Sequence, residues 1–165
     1  MEIRSAGPGD AGAIADLHVR SSEAAYAHLP PSVLSRTPED RRLQWSATLG
    51  EADAQVWVAE VGGTIVGFCH LRIFTPETAE IATLYIDPAH WREGIGRALL
   101  ECARQEAEKG GCTRLSLRVY QANHRARAAY EAVGFTAEPG TIVHERTGLL
   151  LMEYTMPIGG TAERG

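Results

Sequence analysis

The sequence predicts an α+β fold: a mixed, mostly antiparallel twisted sheet of six to seven strands flanked by about four helices. Two observations carry that expectation. Gly62-Gly63 separates two apolar runs, Gln55 to Val61 and Thr64 to Ile73, and a two-residue glycine loop between such runs is a β-hairpin signal. Leu84 to Leu100, LYIDPAHWREGIGRALL, begins as a strand, breaks at Asp87-Pro88 and resumes after Gly94-Ile95-Gly96 as a helix. Thr113 to Val119 then returns as a strand, and a strand, helix, strand order implies a parallel, right-handed crossover.

The remaining elements follow in order. Glu2 to Ser5 reads as a first strand, and Pro8-Gly9-Asp10 as a turn with Asp10 as helix N-cap. Ile14, Leu17 and His18 share one face of a helix that runs to about Tyr26 and is stopped by Leu29-Pro30-Pro31. Pro38 and Glu39 open a second helix holding Leu43, Trp45 and Leu49. Glu80 to Ile86 is the strand after the hairpin, and the helix from Gly96 to about Lys109 is closed by Gly110-Gly111. Asn123 caps a helix reaching Val133, Gly134 ends it, Phe135 starts another strand and Thr147 to Met156 supplies the last. Residues 1–157 are expected to form a single domain, and the polar, glycine-containing stretch 158–165 a disordered tail.

Composition narrows the function classes. A chain of 165 residues, 44% hydrophobic, has enough apolar material for one ordinary core. A net charge of −5 disfavours a nucleic-acid surface. No apolar run has the length of a membrane span, and MEIRSAGPGD lacks the pattern of a signal peptide, so the expected location is cytoplasmic with no membrane contact. Cys69, Cys102 and Cys112 are odd in number and unpaired in spacing, which points to buried thiols; His70, His90 and His144 lack metal-ligand spacing, so no metal is expected.

A strand that feeds a glycine turn and then a helix leaves backbone N–H groups at the positive end of the helix dipole, where phosphate binds. Gly94 and Gly96 carry no Cβ to hold a pyrophosphate away, and Arg92 and Arg97 add charge. A dinucleotide fold would need a third glycine where Leu99 stands.

Hairpin, strand, glycine turn, helix, strand, and then Asn123 followed by Tyr130 and Gly134-Phe135, resembles the GNAT superfamily of acetyl-CoA-dependent N-acetyltransferases. The likeness spans about Ile3 to Met156. Its specific part is Glu-Ile-Ala-Thr-Leu-Tyr-Ile-Asp-Pro (80–88), Gly-Ile-Gly-Arg-Ala-Leu-Leu (94–100) and Asn-His-Arg-Ala-Arg-Ala-Ala-Tyr-Glu-Ala-Val-Gly-Phe (123–135). The resemblance implies acetyl-CoA as co-substrate, along Leu84, Tyr85 and Ile86, over the turn Arg92, Glu93, Gly94, Ile95, Gly96 and Arg97, and past Asn123 and Tyr130. The chain departs from the family at Trp91, where Arg or Gln is usual.

Amine acetylation needs a neutral amine, a polarised thioester and a proton for the leaving thiolate. Seven residues from Asn123, Tyr130 returns to nearly the same helix face, and the resemblance assigns such a tyrosine the acid role. Two branches of the family carry a glutamate base. One places it where this chain has Arg118, which cannot accept a proton. The other places it at Glu80, which strand alternation puts with Ala82, Leu84 and Ile86 on a largely apolar face, where burial would raise its pKa; the alternative is a solvated glutamate at a frayed strand start. Tyr26, Trp45, Trp57 and Tyr85 are acceptor-pocket candidates or plain core. The expected activity is direct acetyl transfer to a primary amine of a small molecule, peptide or protein, with a non-catalytic CoA-binding module as the alternative. The resemblance makes a homodimer a reasonable assembly, and the sequence itself does not read out the oligomeric state.

Overall fold

The computed structural model describes residues 1–159, which contain four α-helices and eight strands. In chain order these are β1 (Glu2–Ser5), α1 (Ala11–Ala25), α2 (Pro38–Leu49), β2 (Gln55–Val61), β3 (Thr64–Ile73), β4 (Thr78–Ile86), α3 (Ile95–Lys109), β5 (Arg114–Tyr120), α4 (His124–Ala132), β6 (Thr136–Ala137), β7 (Ile142–Val143) and β8 (Leu150–Pro157). The strands pair in the order β1-β2-β3-β4-β5-β8-β6, with β7 also on β8. The β4–β5 pair is parallel, through Thr78–Arg114, Ala79–Leu115 and Glu80–Ser116. The mixed, mostly antiparallel sheet is thus the expected one. The short β7 adds a strand without sequence signal, since two residues are too few to show a period.

By contacts the chain divides into two compact units: Met1–Leu71 with Thr83–Ala103, and Arg72–Ala82 with Arg104–Gly165, the latter described as far as Gly159. In the first unit, β2 and β3 meet across Gly62 and Gly63, whose φ values of 57° and 81° are the left-handed pair that a two-residue hairpin requires. Helix α2 starts on a reciprocal cap: the Asp40 N–H donates to Thr37 Oγ1 at 3.1 Å and the Thr37 N–H to Asp40 Oδ2 at 3.0 Å. Asp10 stands at the start of α1 as expected, but its carboxylate does not cap that helix. It accepts instead from the Gly7 N–H and from Arg4, which draws its pKa below the usual carboxylate range.

Ile14, Leu17, Trp45, Leu49, Val56, Val58 and Phe68 form the core of this unit. Leu43, on the same helix as Trp45, is 73% exposed, because it lies on the opposite side of α2. Inside the core is His18, 2% exposed, whose Nδ1 accepts a hydrogen bond from Trp45 Nε1 at 3.1 Å. Its ring lies 4.7 Å from that of Tyr85 and 5.6 Å from that of Phe68. The first half of α3 packs so closely on β3 that a Cβ at Gly67 would come within 2.9 Å of Ile86 and 3.1 Å of Ile95.

In the second unit, β5 and β8 run antiparallel from Arg114–Pro157 to Tyr120–Leu151. Leu115, Leu117 and Val119 are buried on one face; Arg114, Ser116 and Arg118 alternate onto the other. Of the expected tail, residues 160–165 lie outside the described residues. Ile158 is buried and donates its N–H to Thr113 O at 2.9 Å, and the Gly159 N–H donates to Glu108 at 3.0 Å. No helix among the described residues is long and apolar enough to cross a membrane.

Burial, and after it the charges of Arg41 and Arg36, pushes the His18 pKa from its ordinary 6.5 down to about 3. Between those values the unfolded chain holds a proton on His18 that the folded chain rejects, so stability is full above pH 6.5 and is lost progressively as pH falls towards 3. His18→Gln retains an acceptor for the Trp45 N–H and does not titrate. Urea midpoints measured from pH 7 to pH 4 should fall less steeply in H18Q than in the wild type; parallel slopes would show that His18 is not the group responsible.

Candidate active site

β4 ends at Ile86, and the chain turns through Asp87 to Gly94 before α3 begins. Three contacts hold the turn. The Asp87 N–H donates to Val66 O at 2.8 Å, the Asp87 carboxylate pairs with Arg20 at 2.8 Å, and the Trp91 indole N–H donates to Ile86 O at 2.9 Å. The family-atypical Trp91 therefore closes off the last carbonyl of β4. Arg92 (φ 67°) and Gly94 (φ 82°) are both left-handed; for arginine that conformation costs on the order of 1 kcal/mol, and such cost gathers at ligand sites. The first helical bond of α3 runs from the Ala98 N–H to Gly94 O at 3.1 Å, so the N–H groups of Ile95, Gly96 and Arg97 precede the helical ladder. Ile95 is buried, while Arg92, Glu93, Gly94 and Arg97 are exposed. A Cβ at Gly96 would meet nothing nearer than Ile86 at 3.8 Å, so the protein itself does not demand glycine there.

Of the other residues expected along β4, Leu84 and Ile86 are half-buried. Tyr85 turns its ring into the core, with its hydroxyl 2.9 Å from that of Tyr26. Trp45 is likewise core, at 1% exposure.

In the second unit, the buried Asn123 side chain accepts from the Ala126 N–H at 3.3 Å and so caps α4. Tyr130 follows two turns on, half-buried, with its ring edge-on to Phe135 at 5.9 Å. What holds the helix was not legible in the sequence. The fully buried Tyr154 of β8 donates its hydroxyl to Glu131 at 2.8 Å and accepts from Arg127 Nε at 3.1 Å, while Arg127 also donates to Gln121 O at 2.8 Å.

Glu80 requires a correction. The expected apolar surround of Ala82, Leu84 and Ile86 is not what its carboxylate meets: Glu80 Oε1 accepts from Arg72 at 2.8 Å and lines a cavity of about 150 Å³ with Arg114, Ser116, Arg118 and Glu153. The reason lies in the pairing. Glu80 sits beside Ser116, whose face carries the polar residues of β5, and the buried alternation of β4 stops after Ala79 and Ile81. Glu80 is not a frayed strand end either, since β4 begins two residues earlier. Arg114 pairs with Glu138 at 3.3 Å and Glu153 at 3.5 Å. The i, i+2, i+4 spacing of Arg114, Ser116 and Arg118 was the sequence signal for this charged face.

The glycine turn at the head of α3 and the Asn-capped α4 are the parts that family membership turns on. Residues 13–135 match the model of the Acetyltransferase (GNAT) family, and the chain belongs to it. Among its relatives, the mycothiol acetyltransferase of Beutenbergia cavernae is 32% identical over 120 residues, 72% of this chain and 39% of that protein. The [Ribosomal protein bS18]-alanine N-acetyltransferase of Escherichia coli K12 is 38% identical over 73 residues, 44% of this chain and 49% of that protein. The matches thus span less than two thirds of the length of these curated relatives. In fold, the chain is similar to the PaiA N-acetyltransferase of Thermoplasma acidophilum in complex with coenzyme A, with a TM-score of 0.73, 23% identity and coverage of 92% of this chain and 96% of that one.

If the Tyr154 phenol is what ties α4 to β8, Tyr154→Phe should cost about 1 to 2 kcal/mol, because the part-buried hydrogen bonds to Glu131 and from Arg127 are both lost. Hydrogen exchange should then accelerate in α4 more than in β5. Unchanged protection of the α4 amides would rule out this tie.

Proposed function

We propose that this protein is an N-acetyltransferase that moves the acetyl group of acetyl-CoA to a primary amine, by direct attack of the amine on the thioester in a ternary complex. The observation that carries the reading is the turn from Arg92 to Arg97, where two left-handed residues and an uncrowded Gly96 leave the first N–H groups of α3 open to a pyrophosphate. The CoA complex of the structural relative supports the same ligand.

In this reading the Ile95, Gly96 and Arg97 amides hold the pyrophosphate, Arg92 and Arg97 supplement its charge, and the Tyr130 phenol gives the departing thiolate its proton. Glu80, held by Arg72, takes the proton that the ammonium must lose. Direct attack is favoured over a cysteine relay because burial pushes the Cys69 thiol up to about 12 and also raises Cys102 and Cys112, which keeps all three protonated and poorly nucleophilic at neutral pH. The acceptor named for one relative, a ribosomal-protein alanine, supports a primary amine as acceptor in general terms.

Thiol release from acetyl-CoA against a panel of amines, amino acids, polyamines and peptide N-termini tests the activity. Tyr130→Phe should lower turnover roughly 10- to 1000-fold while leaving the acetyl-CoA dissociation constant nearly unchanged. Acetyl-CoA binding without thiol release for any amine would instead make the chain a binding module.

Gly96→Val places a branched side chain where the phosphate should lie, in a spot the protein leaves open, so the fold should survive. Calorimetry should show acetyl-CoA affinity falling at least tenfold in G96V and far less in Trp91→Ala, whose indole is engaged with Ile86 O. Equal affinities for wild type and G96V would overturn the pyrophosphate assignment.

A further inference from the structure

The charged cavity of the second unit bears on which amine is accepted, an inference that rests on the transferase reading above. Glu80, Ser116 and Thr155 form one row across three strands through the Glu80–Ser116 and Ser116–Thr155 pairs. Arg118 and Glu153, opposite each other in the β5–β8 register, stand two residues further along the same face. Three cations and three carboxylates line this cavity or pair into it. Arg72 is matched by Glu80, and Arg114 by Glu153 and Glu138. Arg118 is exposed to the cavity, and among the described residues it has neither an ion-pair nor a hydrogen-bond partner. Arg118 is therefore the one guanidinium of this set whose fork is left open, and that fork suits a carboxylate.

We propose that this cavity receives an amine that carries its own carboxylate, with the amine directed to Glu80 and the carboxylate to Arg118. Arg118 stands two residues beyond Ser116, the register partner of Glu80, and both side chains line the cavity and are long enough to reach the two ends of one small zwitterion. A polyamine or another polycation has no carboxylate to offer the Arg118 fork. Phe74, 70% exposed at the cavity rim, offers an apolar surface for the rest of the acceptor. The shared chemistry has two sources: a free amino acid, or a peptide N-terminus followed by an acidic residue.

The test uses matched acceptors: amino acids against their carboxamides, dipeptides Ala-Asp against Ala-Asn, and spermidine. For the wild type, kcat/KM should be roughly 10- to 100-fold higher for the carboxylate member of at least one pair, as a charge-assisted bidentate contact allows. The pair that shows it identifies the source. Arg118→Gln should bring that ratio to within about threefold, chiefly through KM. Turnover with no carboxylate preference, a preference for spermidine, or a preference unaltered in R118Q would overturn this inference and leave the transferase reading intact. A binding arm separates the two failures: the same acceptors are titrated into wild type and R118Q by calorimetry. Carboxylate binding that requires Arg118, without turnover of any amine, would overturn the transferase reading and support the site; binding that ignores both the carboxylate and Arg118 would overturn the site.

Discussion

The backbone at the head of α3 is the constraint on which the first unit depends. β4 gives way to α3 over residues 87–94, and within that turn Arg92 and Gly94 take left-handed backbone conformations. Around it, Asp87 is bound to both Val66 and Arg20, and Trp91 takes the Ile86 carbonyl, so the turn is held on each side by contacts independent of any ligand. Ile95 and Leu99 then sink into the gap that Gly67 leaves open on β3. A preformed array of helix N-terminal amides is the result, and preorganised donors bind an anion without the ordering cost that a flexible loop would incur.

The proposed acceptor specificity rests on a different kind of surface. The second unit exposes alternate residues of β5 beside the start of β4, and on that face nearly every position is polar or charged. Most of these charges neutralise one another within the unit. What distinguishes the face is Arg118, the one guanidinium on it without a bonded partner among the described residues. At a partly exposed site such a charge adds little to stability, but it sorts ligands by sign. Tyr154, by contrast, spends its hydroxyl within the protein, holding α4 and with it Asn123 and Tyr130.

Much of this was legible in the sequence, and the reasons are local. The hairpin at Gly62-Gly63, the glycine turn, and the Asn123 cap are each specified within a few residues, because a positive φ or a capping oxygen is a property of one position. Element types followed from periodicity, and the Gln55–Val61 and Thr64–Ile73 strands have the expected bounds. The GNAT membership followed from the order of those local signals. Asp10 failed as a cap for a non-local reason: Arg4, fixed on the neighbouring strand, competes for its carboxylate more strongly than a helix amide can.

The sequence by itself therefore determined where the chain turns, which segments are strands or helices, and where the head of α3 leaves backbone amides ahead of the helical ladder. Tertiary structure alone decided what surrounds each side chain. Glu80 reads as buried among apolar neighbours along its own strand, yet its environment comes from Ser116, Arg118 and Arg72, which pairing brings beside it. His18 reads as one more position on an amphipathic helix, and only the indole of Trp45 and the rings of Phe68 and Tyr85 make it a neutral, buried hydrogen-bond acceptor. Backbone conformation is set by steric limits within a residue or two, whereas electrostatic environment depends on groups distant in sequence, and those are known only once the chain has folded.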